Sequence, residues 1–242
     1  MRSIAALFLA LAALAAAPSH ARSVEVTIVE EWVEVEGAGR YVSSARAALR
    51  PALAEYGPFR VLDERRAALT GATDAASPAQ FAAMLRAHPR LATLEMIECP
   101  GTDDDHANLA LGRMIRAAGL ETHVPRGGSV RSGGVELFLA GAARRIDEGA
   151  EFAVHSWRDE YGREAGDLAA DSPAHRAYLD YYAEMGMERA AARAFYAMTN
   201  SVPNGEAMWL TARDMRRWLG EGREGDVASP TIAYLDLGTL LP

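Results

Sequence analysis

Between Leu91 and His155, short apolar runs alternate with amphipathic ones, and glycine or proline separates nearly every pair. Leu91 to Ile97 (LATLEMI) has strand composition and runs into the turn Glu98-Cys99-Pro100-Gly101. Ala107 to Ala118 places Leu109, Leu111, Met114 and Ile115 at helical spacing, and Gly119 stops it. Glu121 to Pro125 is a short strand, and Gly127-Gly128 marks a tight loop. Val135 to Ala140 predicts an apolar helix ended by Gly141, and Ala150 to His155 predicts a third strand. Short strands separated by helices bury their faces only as an α/β protein.

The flanks extend the pattern. Val24 to Val33 is β-branched, Gly37 to Arg40 reads as a turn, and residues 43–55 have helical spacing interrupted by Pro51. Ala67 to Thr70 predicts a short buried strand ending at Gly71. Ser77-Pro78 has the order of a helix start, with Phe81, Met84 and Leu85 on one face of the helix that follows. Ser172-Pro173 opens a helical region reaching Thr199, and residues 209–218 predict a last short helix. The aromatic and Met-rich face carrying Tyr178, Tyr181, Tyr182, Met185 and Met187 is expected either to meet another subunit or to pack internally.

The N-terminus reads as an address. Arg2 precedes the apolar run of residues 4–17, Pro18 ends it, and Ser19-His20-Ala21 forms a small-x-small cleavage site. A membrane span needs about 20 apolar residues, more than this run supplies. The expected organisation is a signal peptide over residues 1–21, one domain over 22–220 and a tail over 221–242. The expected location is periplasmic or secreted, with no stable membrane span after cleavage.

Composition closes several chemistries. The net charge of −8 argues against nucleic acid as a partner. All 25 basic residues are arginine, so no lysine-dependent mechanism is open. Cys99 is the single cysteine, which excludes an internal disulfide. His106, His123 and His175 lack metal-ligand spacing, and Asp103-Asp104-Asp105 reads as a solvated cap at the start of the following helix. No metal and no cofactor is expected.

One serine stands apart. Ser132 lies in Val130-Arg131-Ser132-Gly133-Gly134, immediately before the apolar helix. Backbone N–H groups at such a junction point outward, and a hydroxyl beside them has the surroundings that acyl transfer requires. His155, 23 positions later at a strand end, is positioned in sequence to act as its base.

These segments resemble the ClpP class of serine proteases, in order and spacing more than in any single motif. Leu94 to Thr102 (LEMIECPGT) looks like the strand and Ser-Pro-Gly-Gly loop of that class. Val130 to Gly141 (VRSGGVELFLAG) looks like its nucleophile segment, and more closely like that of exported ClpP-like proteins. Phe152 to Ser156 (FAVHS) matches the strand that delivers the histidine. Ala67 to Gly71 resembles the family's early strand, and Trp209 to Asp214 the stretch after its acidic residue. The resemblance spans roughly residues 65–220. It implies a ClpP/crotonase-like spiral of ββα units with a helical C-terminal region.

For the site, the resemblance implies Ser132 as nucleophile, His155 as general base, and the backbone N–H groups of Thr102 and Gly133 as oxyanion hole. It also implies a peptide or small acyl substrate and a homo-oligomer. Several positions depart from the pattern. Thr102 replaces a glycine, Arg131 a small residue, and Val130 and Gly134 stand where the exported relatives carry cysteines. The third triad position falls on Ala207, which cannot orient a histidine; Glu206 is the expected substitute, with Asn204 and Asn200 nearby. The expected activity is that of an exported serine hydrolase with peptidase-like chemistry through an acyl-enzyme at Ser132. Its rival is an inactive ClpP-fold binding or scaffold protein. The serine–lysine pair of signal peptide peptidases is closed by the lack of lysine, and paired carboxylates of the enoyl-CoA hydratase kind have their nearest counterpart in Asp103 to Asp105.

Overall fold

A computed structural model describes residues 50–221. The expected signal peptide, the strand over 24–33, most of the helix over 43–55 and nearly all of the tail lie outside the described residues.

Two sheets run through the molecule. The larger contains β1 (Ala54–Tyr56), β2 (Phe59–Val61), β3 (Arg66–Leu69), β4 (Thr93–Met96), β6 (Glu121–Val124) and β8 (Ala143–Ile146), in the order β1-β2-β3-β4-β6-β8. The smaller contains β5 (Glu98–Cys99), β7 (Ser129–Arg131), β9 (Glu151–Val154) and β10 (Met208–Thr211), in the order β10-β9-β7-β5. From β3 through β8 the large sheet is parallel, as is β5-β7-β9, while β10 joins β9 antiparallel.

The repeat behind this arrangement is a ββα unit. β4 enters the large sheet, β5 the small one, and α2 (Asp105–Ala117) follows. β6, β7 and α3 (Gly133–Leu139) repeat the pattern, and β8 and β9 begin it again before α4 (Pro173–Glu184) and α5 (Arg189–Thr199). Each unit advances both sheets by one strand, which is the expected α/β spiral with a helical C-terminal region. α1 (Ser77–Ala87) precedes the first unit and α6 (Ala212–Trp218) ends the described chain.

The core explains the sequence pattern. Leu94, Met96, Leu111, Ile115, Leu137, Phe138 and Phe152 are fully buried between sheets and helices. Phe138 packs on Phe152 with ring centroids 5.1 Å apart, joining α3 to β9. At ~25 cal/mol per Å² of apolar surface, such buried side chains supply most of the drive to fold.

Local expectations change in several places. Ala54 and Glu55 belong to β1 rather than to a helix, because Ala54 to Tyr56 pairs antiparallel with Phe59 to Val61 around Gly57. The strand read over 91–97 splits at Ile97 into β4 and β5 of different sheets. β7, β8 and β10 are strands that composition did not announce; β8 is Ala-Arg-Arg-Ile, defined by its pairing with β6. Residues 208–211 are strand, so only 212–218 of the last expected helix are helical. Helix α1 starts one residue early, with Ala76 as N-cap and the Asp74 carboxylate accepting from the Ser77 hydroxyl at 2.9 Å. Tyr181, Tyr182 and Met185 are buried within this chain, so of the two expectations for this face, a subunit contact or internal packing, these three residues follow the second.

Candidate active site

Ser132 sits where β7 turns into α3, as the N-cap of that helix. Its backbone has φ 48° and ψ −130°, and among the described residues it is the one non-glycine with positive φ. A side chain at such angles is strained by roughly 1–3 kcal/mol, and the surrounding structure must hold it there. That holding is visible. The Ser132 N–H donates to the Ala153 carbonyl at 2.9 Å, tying the turn to β9, and its carbonyl accepts from the Val135 N–H at 2.8 Å. A sharp strand-to-helix turn of this kind presents the serine hydroxyl outward, next to the first free N–H groups of a helix.

The Pro100-Gly101-Thr102 turn lies against it. A Cβ placed on Gly101, whose φ is 134°, would stand 3.1 Å from Ser132 Cβ and 3.4 Å from its Oγ. A Cβ on Gly133 would stand 2.6 Å from Thr102 Cγ2. Glycine at both positions is therefore what lets the turn and the serine meet.

The two expected oxyanion donors are free. Thr73 and Thr102 form a parallel bridge in which Thr73 donates to the Gly101 carbonyl at 3.0 Å and accepts from the Asp103 N–H at 2.9 Å. This pattern turns the Thr102 N–H to the opposite side. Among the described residues, neither the Thr102 nor the Gly133 N–H donates to a protein acceptor. The loss of glycine at 102 is accommodated because its hydroxyl is used: Thr102 Oγ1 donates within 3.1 Å of the Thr73 and Asp104 carbonyls. Asn108, which sequence reasoning passed over, bridges the halves of the site. It is buried, its Oδ1 accepts from the Thr73 hydroxyl at 2.9 Å, and its Nδ2 donates to the Gly133 carbonyl at 2.7 Å. An asparagine on the buried face of an otherwise amphipathic helix was the available signal.

His155 follows β9, beside the strand that anchors Ser132. Its Nδ1 lies 2.9 Å from the Ser156 carbonyl and 3.2 Å from Asn204 Nδ2. A proton on Nδ1 satisfies that carbonyl and leaves Nε2 with the lone pair a general base needs. Asn204 also donates to the Ser156 carbonyl at 2.9 Å, and its own N–H is held 3.1 Å from both carboxylate oxygens of Glu164. Asn200 reaches the Ser156 hydroxyl at 3.3 Å rather than the imidazole. Glu206 is exposed, with its backbone N–H on the Pro203 carbonyl at 3.0 Å. The Ser132 hydroxyl is not hydrogen-bonded to His155, whose ring contacts are to Ser156 and Asn204.

The remaining flagged residues have structural roles. Arg131 pairs with Glu98 at 2.5 Å and donates to the Ser129 hydroxyl at 2.8 Å, so it points across the small sheet. Asp104 caps α2 by accepting from the Ala107 N–H at 2.9 Å. Burial pushes the Cys99 thiol far up, away from any reactive thiolate. His123 stands 3.1 Å from Asp147, and His175 hydrogen-bonds the Tyr196 hydroxyl at 2.8 Å. Among the described residues no group of three or more His, Cys, Asp or Glu side chains could hold a metal ion, and no helix is long and apolar enough to cross a membrane.

No family model matches the chain, and no curated protein matches its sequence. Solved structures do resemble it. A mutant ClpP1 from Listeria monocytogenes aligns at 16% identity over 64% of this chain and 88% of that one, with a TM-score of 0.46. Two mutants of the 1510-N membrane-bound stomatin-specific protease align at 14% and 13% identity over 62% of this chain. One is in complex with a substrate peptide, and they cover 69% and 73% of their own chains, with TM-scores of 0.42 and 0.43.

Proposed function

We propose that this protein is an exported serine hydrolase of peptidase-like type, acting through an acyl-enzyme on Ser132. The observation that carries this reading is the strained Ser132 backbone: φ 48° at a non-glycine residue is kept where it exposes a hydroxyl beside two free N–H groups. In the proposed reaction His155 Nε2 takes the Ser132 proton as Oγ attacks the substrate carbonyl. The Thr102 and Gly133 N–H groups receive the oxyanion, each worth about 10²–10³ in rate. The imidazolium then protonates the leaving group, and water completes the cycle by the reverse roles.

Asn204 lies beside Nδ1, held there by its bond to the Ser156 carbonyl; with Nδ1 protonated its Nδ2 faces the ring as a second donor, so the amide does not stabilise imidazolium as a carboxylate would. Glu206, two residues on, is the rival for this role. Export through the segment 1–21 supports a substrate that is small, extended or already unfolded, since a cytosolic unfoldase could not deliver one. Assembly with further copies of this chain completes the proposal and is tested by sedimentation of the mature protein.

The decisive experiment is labelling with a fluorophosphonate probe. Labelling lost in Ser132→Ala and in His155→Ala supports the hydrolase; a folded protein that never labels overturns it. One observation favours the second reading, a non-catalytic binding protein. The group at the imidazole is an amide, and the serine hydroxyl is not yet engaged with the ring.

A further inference from the structure

Helix α4 reaches α3, the start of α2 and the loop after His155 through one line of side chains. Toward α3, the Tyr182 hydroxyl donates to the Glu136 carboxylate at 2.7 Å, and the Tyr181 hydroxyl donates to the Glu136 carbonyl at 2.7 Å. Glu136 is buried and lies on the helix that Ser132 caps. Toward α2, the Tyr178 hydroxyl faces the carboxyl of Asp105, three residues after Thr102. Toward the histidine loop, Tyr178 stacks on Trp157 at 8° and 6.1 Å, and His175 holds the Tyr196 hydroxyl, which accepts from Trp157 Nε1 at 2.7 Å. Trp157 is two residues past His155.

We propose that Glu136 is a positioning residue: through Tyr182 and Tyr181 this buried acidic residue holds α4 against the helix that Ser132 caps, while Tyr178 and Asp105 face each other on the side of the oxyanion turn, and α4 loosens when Glu136 loses its proton.

The two carboxyls come from different helices, and the Asp105 charge adds to the affinity of Glu136 for a proton. Burial is the main cause for both, and it pushes Glu136 up to about 7. The other groups facing Glu136 are Tyr178, Tyr181 and Tyr182 of α4. Asp105 also faces Asp104, His106 and His155, while Arg113, Arg116 and Glu184 flank Tyr181. Below neutrality Glu136 is neutral in its buried position and accepts from Tyr182. Above it, a charge appears there without water, and separating α4 from α3 admits the water that ionised Glu136 requires.

The effect on catalysis rests on the serine-hydrolase reading; the docking of α4 does not. The test is hydrogen exchange of residues 173–184 at pH 6 and pH 8, corrected for intrinsic exchange, in the full chain and in Glu136→Gln. The wild type is expected to lose about tenfold protection at the higher pH, following the neutral fraction of Glu136, and the variant to show none of that loss. Wild-type protection that is equal at both pH values, or a variant that keeps the wild-type difference, overturns the inference. Should Glu136→Gln fail to fold, the carbon-13 titration of the wild-type Glu136 carboxyl decides: a midpoint near neutrality supports the inference, and one in the ordinary carboxylate range overturns it. Fluorophosphonate labelling of Ser132 across the same range separates the two readings. Exchange that follows pH in a protein that never labels leaves the positioning of α4 standing and removes the hydrolase.

Discussion

The Tyr181 hydroxyl occupies the space that a side chain at Gly112 would need: a Cβ there would lie 1.9 Å from the oxygen. Gly112 is buried in α2, and its bare backbone lets Tyr181 of α4 pass over it to reach the Glu136 carbonyl on α3. A mid-helix glycine normally costs about 1 kcal/mol relative to alanine. Here the glycine is retained at a three-helix junction where alanine does not fit. Gly112→Ala should therefore destabilise the protein by about 1–3 kcal/mol despite its better helix propensity, and Tyr181→Phe in the same background should recover part of the loss. Denaturant midpoints of the two variants check this; a stabilised Gly112→Ala would refute the packing described.

Ser132 stores backbone strain that glycine would not. Ser132→Gly should raise stability by about 1 kcal/mol, whereas Ser132→Ala should not, because alanine suffers the same positive φ. Both variants should lose fluorophosphonate labelling completely. Thermal unfolding of the pair provides the measurement, and a Ser132→Gly protein less stable than Ser132→Ala would show that the turn is unstrained.

Which group orients His155 can be read from three variants. With Asn204 in that role, Asn204→Ala should slow labelling at least tenfold, and Asn204→Asp should accelerate it by stabilising the imidazolium. Glu206→Gln should then leave the rate within about twofold. If the exposed carboxylate swings in when substrate binds, Glu206→Gln slows labelling instead and Asn204→Asp brings no gain. Second-order labelling rates at fixed pH distinguish these outcomes.

The buried acid also leaves a mark on global stability. Glu136 rises from 4.5 to about 7 on folding, so between those values the folded state holds more protons than the unfolded one. Its stabilising contribution is complete below pH 4.5 and is lost as pH rises through 7, the reverse of a salt-bridged carboxylate. At ~1.4 kcal/mol per unit, the full swing from 4.5 to about 7 is on the order of 3–4 kcal/mol, and Asp105 acts in the same direction. Unfolding free energies measured from pH 5 to pH 8 should fall in the wild type and flatten in Glu136→Gln. A wild-type curve that rises across this interval would contradict the assignment.

Much of the spiral could be read in the chain, and the reason differs from element to element. α2 is legible because Leu109, Leu111 and Ile115 repeat at helical spacing against one packed face, with Gly119 to stop it. β8 is not, because Ala143 to Ile146 carries two arginines and becomes a strand only through the pairing offered by β6. β10 was hidden for a related reason: Met208 to Thr211 has helix-compatible composition, and its partner β9 is more than fifty residues away. The split of residues 93–99 between two sheets is invisible to periodicity, since both halves mix polar and apolar residues and the break at Ile97 is a change of partner rather than of composition.

The local sequence determined the α/β class, most of the helices, the Pro-Gly turn and the serine-glycine turn each by itself, and the absence of lysine that closes one mechanism. These are properties of neighbouring residues, and propensity, capping and glycine geometry act over a few positions. Tertiary structure decided what depends on residues far apart. It set Ser132 at φ 48°, made Asn108 the bridge between Thr73 and Gly133, put Asn204 at the imidazole, and turned Tyr181 and Tyr182 of α4 inward onto the buried Glu136. Each of these is a compromise between burial and hydrogen bonding, and such compromises exist only once the sheets have brought the partners within reach.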